Sequence, residues 1–394
     1  MTTFVLGGAH SDFARHLQRE GRELADLVAE LVDRSFEDAK IDARDLARSG
    51  TIHVGNAFGE LFAGQGHLGA MPATVRPELA GVPAARHEAA CASGSVAILA
   101  AMAELEAGRY DVALVLGVEQ ERNVPGDVAA KHLGAAAWVG HEGDGARYLW
   151  PHMFARVADA YAERYGLDHA HLEALATQAF ANARDNPNAQ TRAWVLDGAP
   201  NPVVDGRLHR HDCAQVTDGG AAVVLASPRF AEAWAARGGR DLATLPRILG
   251  WGHRTVGLPL QPKLDAHVEH ELMFPHLAQA VADARRRAAR DASQISAYEV
   301  HDCFTITGYL AIDHLGLTAP GEAWRAIEAG DTARTGRTPI NPGGGLVGIG
   351  HPVGATGVRM ALDAARRVAA RGGAVQTLNL GGSTATVVSL VVGT

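Results

Sequence analysis

Cysteine is scarce: Cys91, Cys213 and Cys303 are the only three in 394 residues. An odd, widely spaced set of three is a poor disulfide framework and fits reduced thiols, so a cytoplasmic location is expected. Lysine is almost absent as well; Lys40, Lys131 and Lys263 are the only ones among 36 basic residues. With a net charge of -8 and no extended Lys/Arg block, neither nucleic acid nor an anionic membrane surface is an expected partner. Long apolar runs are missing too. The longest, Val96 to Ala103, falls far short of the roughly 20 residues a bilayer requires, so no membrane span is expected. The N-terminus "MTTFVLGGAHSDFARHL" lacks a basic n-region and a small-residue cleavage site, and reads as a first strand. No Cys-x2-Cys spacing is present, so no metal is expected. No GxGxxG opens a helix after a strand and no Lys-Ser/Thr follows the glycine-rich loop, which argues against a nucleotide site.

What is present reads as an ordinary globular chain, 47 % hydrophobic and 20 % charged, long enough for two domains or one large duplicated one. Apolar runs at 3–8, 51–58, 111–118 and 221–227 read as strands, and so do 247–252, 297–304, 374–382 and 385–392. Helical patterns at 20–38, 94–107, 276–290 and 356–370 alternate with them, which gives an α/β class with buried sheets. The two sets repeat one plan. "VGNAF" at 54–58 stands where the second set has "VHDCF" at 300–304, and "CASG" at 91–94 stands where it has "HPVG" at 351–354. The expected division is therefore 1–245 and 246–394, with residues of about 120–211 inserted as a loop domain without counterpart.

Three segments could carry chemistry. Cys91 lies in a small-residue turn opening onto an apolar helix, where the helix N-terminus favours a thiolate; a small core cysteine is the alternative. His351 lies in "NPGGGLVGIGHPVGATG", seven glycines in seventeen residues, with Pro352 fixing the chain just after the imidazole. If a pseudo-twofold axis relates the halves, Cys91 and His351 are equivalent and approach each other there as nucleophile and base. The third segment, "YEVHDCF" at 298–304, puts His301 and Cys303 on one strand face and Asp302 on the other. The same His-Asp-Cys recurs at 211–213, where it leads into the strand at 221–227 and reads as packing.

"CASG", "HDCF" and "NPGGGLVGIGHPVGATG", in this order, resemble the three catalytic blocks of the thiolase family, and "DCAQVTDGGAAVVLAS" at 212–227 is similar to a fourth thiolase block. The HDCF form resembles the sterol carrier protein 2 branch. In most of the family a catalytic Cys-x-Gly follows near the C-terminus. Here Asn379-Leu380-Gly381 stands in its place, which leaves Cys303 as the second thiol.

The resemblance implies a thiolase fold of two duplicated βαβαβαββ halves in a five-layer αβαβα arrangement. It implies reversible CoA-dependent cleavage of a 3-ketoacyl-CoA through an acyl-cysteine, with Cys91 as nucleophile, His351 as its base, and Cys303 as acid/base on carbon. His301 and His351 would serve one oxyanion and the N–H groups of Cys91 and Gly381 the other. His152, Met153, Gly350 and Pro352 would line the substrate. No cofactor is expected to be bound, coenzyme A being substrate and product. Expected partners are acyl-CoA and CoA, a homodimer or tetramer, and a small accessory subunit of the OB-fold type. The competing readings are a ketosynthase, a retro-aldolase working with that accessory subunit, and a non-catalytic acyl-CoA-binding subunit.

Overall fold

The protein is described by a computed structural model covering residues 2–394 except 144, 197, 267 and 268. Eleven strands occur among these residues: β1 (Thr3–His10), β2 (Gly50–Gly55), β3 (Ala84–His87), β4 (Val112–Glu119), β5 (Val203–Asp205), β6 (Leu208–His209), β7 (Gly219–Ala226), β8 (Arg247–Thr255), β9 (Ala297–Val300), β10 (Ala374–Gly381) and β11 (Thr386–Gly393). The helices that position the site are α1 (Leu24–Ala39), α2 (Ser93–Glu106), α3 (Leu149–Tyr165), α4 (His169–Ala183), α5 (Pro275–Ala288), α6 (Thr305–His314) and α7 (Thr356–Arg371).

Nine strands follow the order β3-β2-β4-β7-β1-β8-β11-β10-β9, and β5 and β6 form a separate hairpin. The two halves repeat one topology. In the first, β2 and β4 run parallel while β4, β7 and β1 alternate in direction. In the second, β9 and β10 run parallel while β10, β11 and β8 alternate. Only two residue pairs, Thr3 with Ile248 and Phe4 with Arg247, join β1 to β8 and so connect the halves. The short edge strand β3 pairs in parallel with β2. Its counterpart beside β9 has shrunk to a single parallel bridge, Tyr298 to Ile340.

Strand β4, "VALVLGVE", is apolar on both faces because helices cover both. Val112, Leu114 and Leu116 face an outer layer with Leu27, Val28 and Leu31 of α1. Ala113 and Val115 face an inner layer with Ile98 and Met102 of α2 and Val358 and Leu362 of α7. That inner layer also touches Val375 of β10 and Val388 of β11, so α2 and α7 lie between the two half-sheets. The far side of the second half-sheet is covered by α5 and α6, with Leu277, Val281, Ile306 and Leu310 in one core. The result is five layers, αβαβα. The segment between β4 and β7 folds as helices and the β5–β6 hairpin and packs on the second half, since Met153, Val157 and Tyr161 of α3 join that same core.

Strands β2 and β9 end sooner than their apolar patterns suggest, at Gly55 and Val300. The ladder between β9 and β10 stops at Val300 with Leu378, and His301 N–H donates the last bond, to Leu378 O at 2.9 Å. His301 to Phe304 therefore form a loop, yet their alternation survives. Asp302 turns inward to accept from Leu346 N at 2.6 Å, while Cys303 faces a cavity.

Candidate active site

The cavity holds about 360 Å³ and is lined by Cys91, Cys303 and His351 together with Glu121, Cys213 and Gly382. Its size and apolar wall suit a small organic ligand. Phe58, Leu133, Tyr148, Leu149, Trp150, Phe154 and Phe304 supply most of that wall.

Cys91 sits two residues before α2, in a turn made by Ala90 in the left-handed region at φ 49°. A non-glycine residue costs roughly 1–2 kcal/mol there, and Ser93 holds it in place. The Ser93 hydroxyl donates to Ala90 O at 2.6 Å and accepts from Ala89 N at 2.9 Å. His351 follows Gly350, at φ 115°, and precedes Pro352. Its backbone N–H donates to Thr217 Oγ1 at 3.0 Å. The two turns meet through glycine: a Cβ on Gly94 would lie 2.6 Å from Gly354 O, and one on Gly354 would lie 2.7 Å from Gly55 O. No other residue permits that approach, which carries His351 toward Cys91.

One ligand atom each of Cys91, His301 and His351 lie within 4.8 Å of one another, and the two imidazoles stand edge to face with centroids 5.0 Å apart. The same spacing could hold a metal ion. The sequence offers no hint of it, because the three groups come from three distant segments.

Hydrogen bonds fix how both rings carry their protons. Thr356 Oγ1 donates to Pro352 O at 3.2 Å, so at 2.7 Å it accepts from His351 Nδ1–H, leaving the His351 Nε2 lone pair free. Asn379 Nδ2 donates to Cys91 O at 3.2 Å and to His301 Nδ1 at 3.0 Å, while Ser95 Oγ donates to Asn379 Oδ1 at 2.8 Å. Because the Cys91 carbonyl can only accept, the amide cannot be turned over. His301 Nδ1 must accept, and its Nε2 carries the hydrogen. One ring thus offers a base and the other a donor.

Burial pushes His351 down to about 3, with Arg359 adding to it, and holds His301 well below its ordinary value. Both imidazoles are neutral near pH 7. The expectation that the helix N-terminus makes Cys91 a thiolate does not hold in the resting site. Burial pushes the thiol up to about 12 and Glu121 adds to it, while the Gly382 N–H only partly offsets them. Cys303, 8 % exposed, is likewise held well above its ordinary value by burial and then by Cys91. Asp302 is pushed up to about 6 by burial and ties the glycine-rich loop to this segment.

Other residues fall elsewhere. Met153 is fully buried in the second-half core, and His152 faces Asp205 with Nδ1 at 3.3 Å from Oδ1; neither lines the cavity, whereas their neighbours Trp150, Pro151 and Phe154 do. Gly350 is buried against Gln190 and Thr217, and Pro352 lies against Gly219. Gly381 is the last residue of β10; Gly382, next to it, reaches the cavity. His211 packs on Phe180, as a packing role requires. Cys213 instead joins the cavity wall and bridges Phe304, and Ala214 N donates to Cys303 O at 2.9 Å, so the two His-Asp-Cys triplets lie side by side. Sequence reasoning missed Thr356, Ser95 and Glu121, and saw in Asn379 only a missing thiol.

Residues 4–193 match the family model described as thiolase, N-terminal domain, and residues 262–391 the one described as thiolase C-terminal domain-like. An acetyl-CoA acetyltransferase of Methanothermobacter thermautotrophicus is 30 % identical over 344 residues, 86 % of this chain and 84 % of that protein. Sterol carrier protein 2 of Homo sapiens is 26 % identical over 373 residues, covering 90 % of this chain and 64 % of that protein. Among solved structures, the Ltp2-ChsH2(DUF35) aldolase superposes with TM-score 0.75 at 21 % identity, covering 100 % of this chain and 97 % of that one. Acat5 thiolase from Ascaris suum in complex with coenzyme A superposes with TM-score 0.71 at 17 % identity, covering 100 % of both chains. The structural likenesses speak for the fold alone. Two domain models in the right order and a relative matched over most of both lengths go further: the chain belongs to the thiolase family.

Proposed function

We propose that the chain is a thiolase that cleaves or forms 3-ketoacyl-CoA through an acyl group on Cys91. The observation that carries this reading is the gathering of Cys91, His301 and His351 within 4.8 Å beside a cavity that Cys303 also lines. In the cleavage direction, Cys91 gives its proton to His351 Nε2 and the thiolate attacks the C3 carbonyl. The C2–C3 bond breaks, and its electron pair stays with the departing acetyl-CoA as an enolate. Cys303 donates its proton to C2. The incoming CoA thiol then gives its proton to the Cys303 thiolate and attacks the acyl group. Cys91 leaves as a thiolate and recovers its proton from His351.

Each raised thiol keeps its proton until the reaction needs it, and each imidazole is neutral; the burial that lowers His351 opposes the transfer from Cys91, which is drawn forward as the thiolate is consumed in its attack on the carbonyl. The His301 Nε2–H serves the thioester oxyanion, and the N–H groups of Cys91 and of Gly381 or Gly382 serve the acyl oxyanion. Coenzyme A and acyl-CoA are the small-molecule partners.

The test is to incubate the protein with acetyl-CoA and map adducts by mass spectrometry. An acetyl group on Cys91, absent in Cys91→Ala, is expected; no adduct together with no CoA-dependent consumption of acetoacetyl-CoA overturns the reading. The likeness to an aldolase favours a second reading, retro-aldol cleavage alongside a small OB-fold accessory subunit. It forms no acyl adduct, so the same experiment separates the two.

A further inference from the structure

A second cluster of donors lies away from the cavity, where α4 begins beside the β5–β6 hairpin. One ligand atom each of His169, Glu173 and His209 lie within 4.8 Å of one another. The imidazoles of His169 and His209 have centroids 4.2 Å apart. His169 and Glu173 are one helical turn apart on α4, with Nδ1 to Oε1 at 3.6 Å.

The other nitrogen of His169 is already committed. Its Nε2 lies 2.9 Å from Oδ2 of Asp212, a carboxylate only 1 % exposed. That carboxylate accepts elsewhere too, from His209 N–H at 2.8 Å and from Thr305 Oγ1 at 2.8 Å. Oδ2 already accepts from the His209 N–H, and it accepts from His169 as well, so His169 carries its hydrogen on Nε2. The Nδ1 lone pair then faces the Glu173 carboxylate at 3.6 Å, and a ring nitrogen of His209 completes the group of three ligand atoms. This is how metal-ligating histidines are held, one nitrogen donating to a carboxylate and the other free for the ion.

We propose that His169, Glu173 and His209 form a site for a divalent transition metal of the zinc class, with Asp212 orienting His169. Two imidazoles and a carboxylate suit such an ion, with water in the fourth position. Bonds of about 2.0–2.1 Å place tetrahedral ligand atoms about 3.3 Å apart, so the cluster has to close by an ångström or so. Glu173, whose side chain is 54 % exposed, is free to move that far. The site has a path to the catalytic segment. Asp212 holds Thr305, the first residue of α6, and Cys213, its neighbour, bridges Phe304. A bound ion thereby steadies the loop that carries His301 and Cys303.

The experiment is equilibrium dialysis of the full chain, in its Cys91→Ser form, against Zn2+, with metal counted by elemental analysis. That substitution removes the thiol of the other three-donor cluster. About one equivalent of Zn2+ is expected, falling at least ten-fold in His209→Ala and in Glu173→Gln, both of which alter partly exposed side chains. Asp212→Asn should weaken the affinity by about 10–100-fold without removing a ligand. In the chain with Cys91 intact, Co2+ at this site should give weak d–d bands with no thiolate charge-transfer band. Retention below about a tenth of an equivalent overturns the proposal, as does full retention by His209→Ala. Neither result bears on acylation of Cys91.

Discussion

Replacing Cys303 by alanine should separate two chemistries that share one cavity. Removing a single buried sulfur costs on the order of 1 kcal/mol of stability. That sulfur has Thr307 Oγ1 at 4.0 Å and the Phe304 N–H as weak hydrogen-bond partners, so no strong bond is lost and the chain should fold. Acylation of Cys91 by acetyl-CoA moves no proton on carbon; there Cys303 only returns a proton to the departing CoA thiolate, a good leaving group that water can protonate, so the rate should fall by no more than about ten-fold, about 1.4 kcal/mol in barrier. Cleavage and condensation both need a proton moved at C2. General acid–base catalysis contributes about 10²- to 10⁴-fold, roughly 2.7–5.5 kcal/mol of barrier, and that factor should vanish. Rapid acid quench with intact-mass detection follows the acyl-enzyme, and consumption of acetoacetyl-CoA follows cleavage. Uptake of solvent deuterium into the methyl group of acetyl-CoA reports the carbon proton directly. Equal loss in both half-reactions, or unchanged deuterium uptake, would refute the role given to Cys303.

Asn379→Leu keeps the volume but leaves His301 Nδ1 and the Cys91 carbonyl without a donor; kcat should fall about 10²- to 10³-fold, as for a lost oxyanion donor, with KM little changed. An unchanged kcat with a normal melting curve would remove Asn379 as the residue that orients His301. Gly94→Ala puts a methyl 2.6 Å from Gly354 O, so the His351 turn must retreat; acetylation of Cys91 should slow at least ten-fold, about 1.4 kcal/mol in barrier, while the melting temperature drops. Stability should peak near pH 6.5. His10, His276 and His314 are lowered to about 4 by burial, so the stability they lend is complete above their unfolded value of about 6.5 and is lost as pH falls toward 4, at about 1.4 kcal/mol per group per pH unit. Asp302, raised to about 6, and Glu119, raised to about 7, act oppositely: theirs is complete below the unfolded carboxyl values and is lost as pH rises through 6 to 7. A melting temperature that climbs steadily from pH 6.5 to 8 in calorimetry would contradict this balance.

The long apolar strands were legible in the sequence because both faces of each half-sheet are covered, which leaves continuous runs such as "DVALVLGV". The repeat was legible for the same reason, since each half needs the same covered strands and the same inner helix. Strand β3 was not, because "AARH" at an exposed edge has no apolar signal to read. Strand ends were overrun at Phe58 and Phe304, where apolar residues continue past the last ladder bond into loops that pack on the core. The proximity of Cys91 and His351 was expected from residue type and pairing, and the structure brings the two turns together. The ionisation of Cys91 was misjudged, because a helix N-terminus is visible in a sequence and the desolvation of a half-buried thiol is not. Asn379 read as an absence, and its bonds to His301 and Cys91 come from three strands and turns that no local pattern joins. His152 and Met153 show the complementary error: they were placed by motif on a helix whose rotation the motif does not specify.

The source of the cavity wall has one more consequence. Tyr148, Leu149, Trp150 and Phe154 belong to the segment between β4 and β7, whereas Cys91, His301, Cys303 and His351 belong to the duplicated halves. On the proposed function, reactivity and much of the selectivity are therefore encoded in separable stretches of chain, Phe58 and Phe304 being wall residues that the halves supply. The first is locked by glycine contacts that tolerate almost no change; the second is an apolar surface at the start of α3 and the residue before it, open to drift residue by residue. If the proposed function holds, such a division lets a lineage try new acyl groups without risking its chemistry, and it makes 148–154 the place where a redesign of substrate range should begin.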